Sequence, residues 1–377
     1  MPSTDAEPYL RVEDLSVSFP TRDGVVRAVT GMTYQVALGK TLGIVGESGS
    51  GKSVSSLAVM GLHDMKRTQM EGSIRIEDTE VVGLPEDRMR RLRGNAAAMI
   101  FQDPLTALHP FYTIGAQIVE AYRVHNPDVS KREAKAKAVD MLERVGIPQP
   151  NRRVDDFPHQ FSGGMRQRAM IAMSLVNNPK LLFADEPTTA LDVTVQAQIL
   201  DLLQELQRDF GSAIVIITHD LGVIAEMADE VLVMYAGRCV EYGATREVLT
   251  HPEMPYTWGL LNSVPELTGD PEEALLPIPG SPPSLLNPPN GCAFHPRCGY
   301  SHLVPADLCT RELPLLEPSP RGESHLKRCH LLDPENDMRT HEPVVDEEVL
   351  EQPDLVVADR VQAPDQQTLS TAGDSNG

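Results

Sequence analysis

The chain has 377 residues, enough for two or three compact units, and its 41% hydrophobic and 23% charged residues are those of a globular protein. Thirty-three Lys and Arg stand against 54 Asp and Glu, a formal charge of −21 that opposes long-range attraction to nucleic acid phosphates. The N-terminal MPSTDAEPYL is no signal peptide, and no stretch approaches the roughly 18 consecutive apolar residues of a membrane span, so the sequence predicts a chain that stays in the cytosol.

From residue 9 to about 250, apolar runs suited to strands alternate with segments of helical period, the pattern of an α/β unit with a largely parallel sheet. The strand candidates are 41–45, 97–101, 181–184 and 213–217. The first runs directly into Gly46-Glu47-Ser48-Gly49-Ser50-Gly51-Lys52-Ser53, which fits G-x-x-x-x-G-K-[ST] between a strand and a helix. Its glycines let successive N–H groups point into one concavity. Lys52 is placed to neutralise phosphate oxygens, and the Ser53 hydroxyl to ligate Mg²⁺.

No strand is apparent from about 115 to 176, which predicts a helical subdomain hung on the sheet, its bounds about 103–176. Within it, Ser130 and Glu133 form a capping box, Ala138, Met141, Leu142 and Val145 share one helical face, and Gly146 ends the helix. Ser162 precedes another helix whose Ala169, Ala172, Met173 and Val176 share a face, so its hydroxyl and the next N–H groups form a second anion site or a simple helix cap. The strand 181–184 ends in Asp185 and Glu186. In a parallel sheet ligands lie beyond the carboxyl ends of strands, which would set Asp185 beside Mg²⁺ and Glu186 beside an attacking water. A further helix buries Ile199, Leu202, Leu203 and Leu206.

Phe161-Ser162-Gly163-Gly164-Met165-Arg166-Gln167 resembles the signature of ATP-binding cassette (ABC) proteins. With Gln102 after the strand 97–101, Ala190-Leu191-Asp192 after the carboxylates and His219 after 213–217, it completes that family's ordered motifs over residues 9–250. The resemblance implies an α/β P-loop NTPase cassette. It further implies that Ser162, Gly163, Gly164 and Asp192 close on ATP held by a second subunit, giving two composite sites per dimer. By the same likeness Gln102 would contact Mg²⁺ and the attacking water, His219 the γ-phosphate, and Phe19 the adenine ring, while 103–114 would carry motion to membrane subunits.

Beyond residue 250 the vocabulary changes. Residues 251–320 hold 15 of the 31 prolines, and 251–331 hold four of the five cysteines, so a conventional core is not expected there. Cys292, Cys298, Cys309 and Cys329 are spaced C-x5-C-x10-C-x19-C, which suits zinc or an iron–sulfur cluster; no C-x₂₋₄-C zinc knuckle is present. Cys239 reads as a buried hydrophobe.

This segment, with Met254-Pro255-Tyr256-Thr257 and Gly280-Ser281-Pro282-Pro283-Ser284-Leu285, resembles the C-terminal extension of oligopeptide and dipeptide importer ATPases, some of which hold a [4Fe–4S] cluster. His159-Gln160 before the signature is similar to the D-type subunit. That likeness implies an F-type ATPase partner or a second copy, two membrane permease subunits, an extracytoplasmic binding protein, and a peripheral place on the cytoplasmic side of the membrane. Importers of nickel or other small solutes, soluble cassette ATPases and a redox protein are the competing readings. The acidic end, 332–377, reads as a disordered tail.

Overall fold

The computed structural model describes residues 7–189, 191–263 and 278–344; Ala190 and the tail from 345 onward lie outside the described residues. Among the described residues, twelve strands form two sheets. In chain order they are β1 (Pro8–Thr21), β2 (Gly24–Ala37), β3 (Thr41–Val45), β4 (Gln69–Ile76), β5 (Thr79–Glu80), β6 (Ala97–Ile100), β7 (Leu181–Asp185), β8 (Ala213–Thr218), β9 (Glu230–Tyr235), β10 (Arg238–Ala244), β11 (Glu317–Ser319) and β12 (Gly322–Lys327). The central sheet has eight strands in the order β11-β12-β10-β9-β3-β8-β7-β6, and an antiparallel sheet has four, β2-β1-β4-β5.

Strands β9, β3, β8, β7 and β6 run parallel, as expected from their near-continuous apolar sequences. Each is buried on both faces, and successive side chains alternate between two cores. Leu181, Phe183, Ala213, Val215 and Ile217 join the core shared with the antiparallel sheet, while Leu182, Ala184, Ile214 and Ile216 join the core shared with the helices. Gly43, at the middle of β3, lets the helix Leu221–Met227 approach: a Cβ there would lie 2.6 Å from Ile224 Cδ1.

The four strands expected from sequence are present, with 97–101 ending one residue early at Ile100. Between β6 and β7 there are only helices, principally Ile114–His125, Lys131–Arg144 and Gly163–Leu175. The capping box of Ser130 and Glu133 is formed, Ala138, Met141, Leu142 and Val145 are all fully buried, and Gly146 turns the chain at φ 73°. The antiparallel sheet of β1, β2, β4 and β5 lies outside the sequence expectation: β1 and β2 are long, and bulges shift the register of β1 against both β2 and β4, which blurs the period-2 signal.

The C-terminal region corrects the sequence expectation twice. Despite its prolines it carries β11 and β12, which extend the central sheet through Glu241↔Lys327 and Tyr242↔Leu326. Phe294, Tyr300, Val304 and Leu331 are buried in the same core as the cassette helices. The expected disordered tail also begins too early at 332: Pro334–Thr340 is a helix, capped by Asp333, with Met338 buried.

The seam between β10 and the extension is polar. Glu241 is wholly buried, accepts the Glu253 N–H at 2.6 Å and lies 2.7 Å from His325 Nε2. Burial raises its pKa against the opposing pull of His325. Glu241→Ala leaves a buried imidazole and a buried amide without their acceptor, so urea denaturation is expected to show a loss of about 3 kcal/mol. A loss below about 1 kcal/mol would mean that water substitutes for the carboxylate.

Candidate functional site

The phosphate loop leaves β3 at Val45 and enters the helix Lys52–Val59. Two of its glycines are required by contact. Gly46 has φ 156° and a Cβ there would stand 2.2 Å from Met234 O; Gly51 has φ 100° and its Cβ would stand 2.1 Å from Ala28 O. Gly51 is also the N-cap and offers no side-chain acceptor, so the first N–H groups of the helix remain for an anion. Ser48 and Gly49 form the exposed tip, whereas Ser50 is buried and donates its N–H to Glu47 O. Lys52 is 7% exposed, its ammonium donating to Gly46 O at 2.6 Å and Glu47 O at 2.9 Å. Burial lowers its pKa, opposed by Glu186, Asp185 and Glu47.

Strand register then gathers the rest. Ile100, Ala184, Ile216 and Gly43 lie in one row across β6, β7, β8 and β3. The carboxyl ends of the four strands, Ile100, Asp185, Thr218 and Val45, therefore lie along one edge, within two residues of that row. Ser53 Oγ donates to Asp185 Oδ1 at 3.1 Å. Glu186 follows in the left-handed region, φ 47°, with its N–H bound to Ile217 O, a conformation costly for a residue with a side chain. Its carboxylate accepts from Gln102 Nε2 at 2.6 Å and Thr189 Oγ1 at 2.9 Å, and lies 3.1 Å from His219 Nδ1.

The two adjacent carboxyls are driven apart in acidity. Burial raises Asp185, with Glu186 adding to the rise and the Ser53 hydroxyl opposing it. Burial pushes Glu186 the same way, but hydrogen bonds from His219 and Thr189, together with Lys52, outweigh it and hold its pKa below the usual carboxylate range. Glu186 is thus kept ionised, and therefore able to accept a proton.

Five expected residues lie elsewhere. Ser162 caps the helix Gly163–Leu175 by accepting the Met165 N–H, and Asp192 caps Val193–Phe210 by accepting the Val195 N–H; neither hydrogen bond reaches the loop. Gly163 has open space around it, and Gly164 faces Val195. Phe19 is half-buried against the core and meets His63 edge-on at 5.5 Å. Sequence reasoning assigned no role to Thr189, to Gln167, whose buried amide donates to Pro187 O at 2.7 Å, or to Tyr256 and Arg297 of the extension, which reach Glu47. Thr189 was findable from its place three residues after Glu186; the others contact residues remote in sequence.

The second site is a nearly closed apolar cavity with Cys292, Cys298, Cys309 and Cys329 all in its wall, beside Phe294, Tyr300 and Leu331. Burial pushes the Cys298 thiol up to about 12 and Cys309 up to about 11, with neighbouring thiols adding to both shifts. Burial alone raises Cys292, and burial with the neighbouring thiols raises Cys329. Among the described residues no three His, Cys, Asp or Glu side chains are grouped to hold a metal ion. Cys239 is buried and does not line this cavity; it packs as a small hydrophobe.

Two family models match the chain: ABC transporter over residues 29–189, and the C-terminal region of oligopeptide/dipeptide transporters over 240–303. The oligopeptide transport ATP-binding protein OppD of Bacillus subtilis is 50% identical over 327 residues, covering 86% of this chain and 89% of its own. OppD of Escherichia coli is 50% identical over 315 residues (84% and 91%), and the dipeptide transport protein DppD of Lactococcus lactis 46% over 328 (87% and 92%). The chain belongs to the oligopeptide/dipeptide branch of the ABC transporter ATPases.

Solved ABC cassettes share the fold. A dimeric post-hydrolysis structure of the cassette MJ0796 bound to ADP and Pi superposes with a TM-score of 0.57 at 25% identity, covering 63% of this chain and 99% of that one. CbiO1 of Clostridium perfringens gives 0.55 at 27% identity, with 65% and 92% covered. The ABC model spans the loop, Gln102, the signature and both carboxylates; the second model includes Cys292 and Cys298 but stops before Cys309. No helix among the described residues is long and apolar enough to cross a membrane.

In this ABC ATPase, Gly46→Ala drives a methyl group into the Met234 carbonyl and displaces the loop. The expected result is loss of saturable MgATP binding, by equilibrium titration, in a chain whose circular dichroism is unchanged. Normal binding would show that β9 gives way instead.

Proposed function

We propose that this chain is the ATP-hydrolysing subunit of a binding-protein-dependent importer of oligopeptides or dipeptides, working on the cytoplasmic face of the membrane. The observation that carries the reading is the Glu186 carboxylate, held by Gln102, Thr189 and His219 beside the Ser53–Asp185 pair at the open end of the phosphate loop. The relatives' oligopeptide and dipeptide transport names supply the cargo class.

The donors present fit magnesium: a hydroxyl from Ser53, a carboxylate oxygen from Asp185 and an amide oxygen from Gln102, all hard ligands at one edge. When bound, the ion neutralises β- and γ-phosphate charge. The loop N–H groups and Lys52 hold the triphosphate. Glu186 accepts the proton of a water whose oxygen bonds to the γ-phosphorus as the bond to the β,γ-bridging oxygen breaks, giving ADP and phosphate. Gln102, Thr189 and His219 hold Glu186 in its strained backbone position, and His219 is the candidate donor to the γ-phosphate.

Ser162, Gly163, Gly164 and Asp192 are assigned to the nucleotide of a partner ATPase, either an F-type subunit or a second copy. Their separation from the loop within one chain supports that reading, as does the dimeric form of MJ0796. Phe19 is the candidate adenine contact. Two permease subunits and an extracytoplasmic binding protein complete the assembly, with 103–114 as its contact, where Leu105, Phe111 and Tyr112 are exposed.

The four cysteines are proposed to hold a [4Fe–4S] cluster. Their shared place in the wall of one cavity supports this, as does their wide spacing without a C-x₂₋₄-C knuckle. Its role would be structural, since metal–ligand binding energy can serve as folding energy.

Two outcomes follow. Glu186→Gln keeps the shape and most hydrogen bonds but cannot take the proton, so MgATP still binds while steady-state hydrolysis and peptide uptake fall by about 100-fold or more. Near-normal turnover would remove Glu186 from the role. Cys298→Ser is expected to bleach a brown absorbance and to speed proteolysis of the region beyond residue 278. Unchanged colour and protease resistance would dismiss the cluster.

A further inference from the structure

Glu47, the first variable residue of the phosphate loop, is held at three points. Its N–H donates to Tyr256 Oη at 2.8 Å, its carbonyl accepts from Lys52, and its carboxylate is gripped by both arms of Arg297, Nη1 to Oε2 at 2.7 Å and Nη2 to Oε1 at 3.0 Å. Two of these three partners come from beyond residue 250, and Arg297 is 250 positions from Glu47 in sequence. The Arg297 side chain is 4% exposed, against 26% for Glu47. Its remaining donors are fixed: Nε donates to Pro279 O at 2.7 Å, Nη2 to Gly280 O at 3.1 Å and Nη1 to Tyr235 Oη at 3.3 Å. The guanidinium carbon lies 5.9 Å from the Tyr235 ring centre and 6.0 Å from that of Phe294. A planar fork so immobilised sets the position of the carboxylate it pairs with.

We propose that Arg297 is a positioning residue for the phosphate loop: it neutralises the Glu47 carboxylate and orients the loop's first turn, so that the extension sets nucleotide affinity. This rests on the reading of the loop as the ATP site. The physical argument is one of charge. A carboxylate in a loop built to receive a triphosphate is repulsive unless a cation answers it, and at low exposure solvent screens that repulsion little. Arg297 supplies the answering charge without facing the nucleotide. It also immediately precedes Cys298, one of the residues in the wall of the cysteine cavity.

The test is MgATP titration and thermal unfolding of the full-length chain. Arg297→Met is expected to weaken MgATP binding about tenfold or more, because Glu47 stays charged and unpaired, and adding Glu47→Gln should recover most of that loss. Arg297→Lys, which keeps the charge and loses the fork, should weaken binding by about threefold and serves where the methionine variant does not fold. A purely structural ion pair would lower the unfolding temperature in every variant, leave MgATP affinity within about twofold of wild type and show no recovery in the double variant; that result overturns the proposal. Failure of the unaltered chain to bind MgATP would instead overturn the nucleotide-site reading itself.

Discussion

Parallel pairing of β3 with β8, β8 with β7 and β7 with β6 brings the carboxyl ends of four strands to one edge of the sheet, and every chemical group at the first site is positioned from that edge. Gln102 follows β6, Asp185 ends β7 and Glu186 follows it, His219 follows β8 and the phosphate loop follows β3. A one-residue slip of β7 would part Asp185 from Ser53 and Glu186 from Gln102 and His219, because such a slip turns each side chain to the opposite face. The two cores guard against that slip. Alternate residues of β7 and β8 are committed to different hydrophobic clusters, so a shifted register would have to repack both faces together.

The same edge explains why adjacent carboxylates acquire different characters. Asp185 still belongs to β7 and inherits its burial, whereas Glu186 is thrown outward by its positive φ into the reach of Gln102, Thr189 and His219. A backbone strain of about 1–3 kcal/mol at such a residue is sustained only when surrounding bonds over-determine it. Here the Ile217 carbonyl and three side chains do so. The strain has a use, since a relaxed extended backbone at 186 would continue the strand and send the next side chain to the other face.

Much of this was legible from residue patterns because it is local. Strands β3, β7 and β8 are short apolar runs bounded by turn residues, the phosphate loop is contiguous, and the capping box of Ser130 and Glu133 closes within four residues. What escaped depends on distant partners. Strands β1 and β4 bury one face only after pairing across some sixty residues, with bulges interrupting their alternation. Strands β11 and β12 lie in a proline-rich segment whose composition argues against pairing, yet the prolines sit mostly between elements, and the edge of β10 supplied the missing partner. Gln167 serves the site by a single hydrogen bond, to a carbonyl twenty residues away, that no spacing rule foretells.

The extension is therefore better regarded as part of the cassette's scaffold than as an appendage. A separate domain would meet its neighbour through an exposed, mainly polar surface. This one instead continues the central sheet, shares the helical core, and buries Glu241 against His325 along the join. Such a buried pair is weak evidence of net stability, but breaking it is expensive, which favours one docked arrangement over many loosely held ones. Rigid docking is what an aromatic cluster of Tyr235, Tyr256 and Phe294 requires: Tyr235 ends β9, and the other two belong to the extension. Through that cluster the outermost parallel strand of the central sheet and the wall of the cysteine cavity become one packed unit, so a change of order on either side is felt directly by the other.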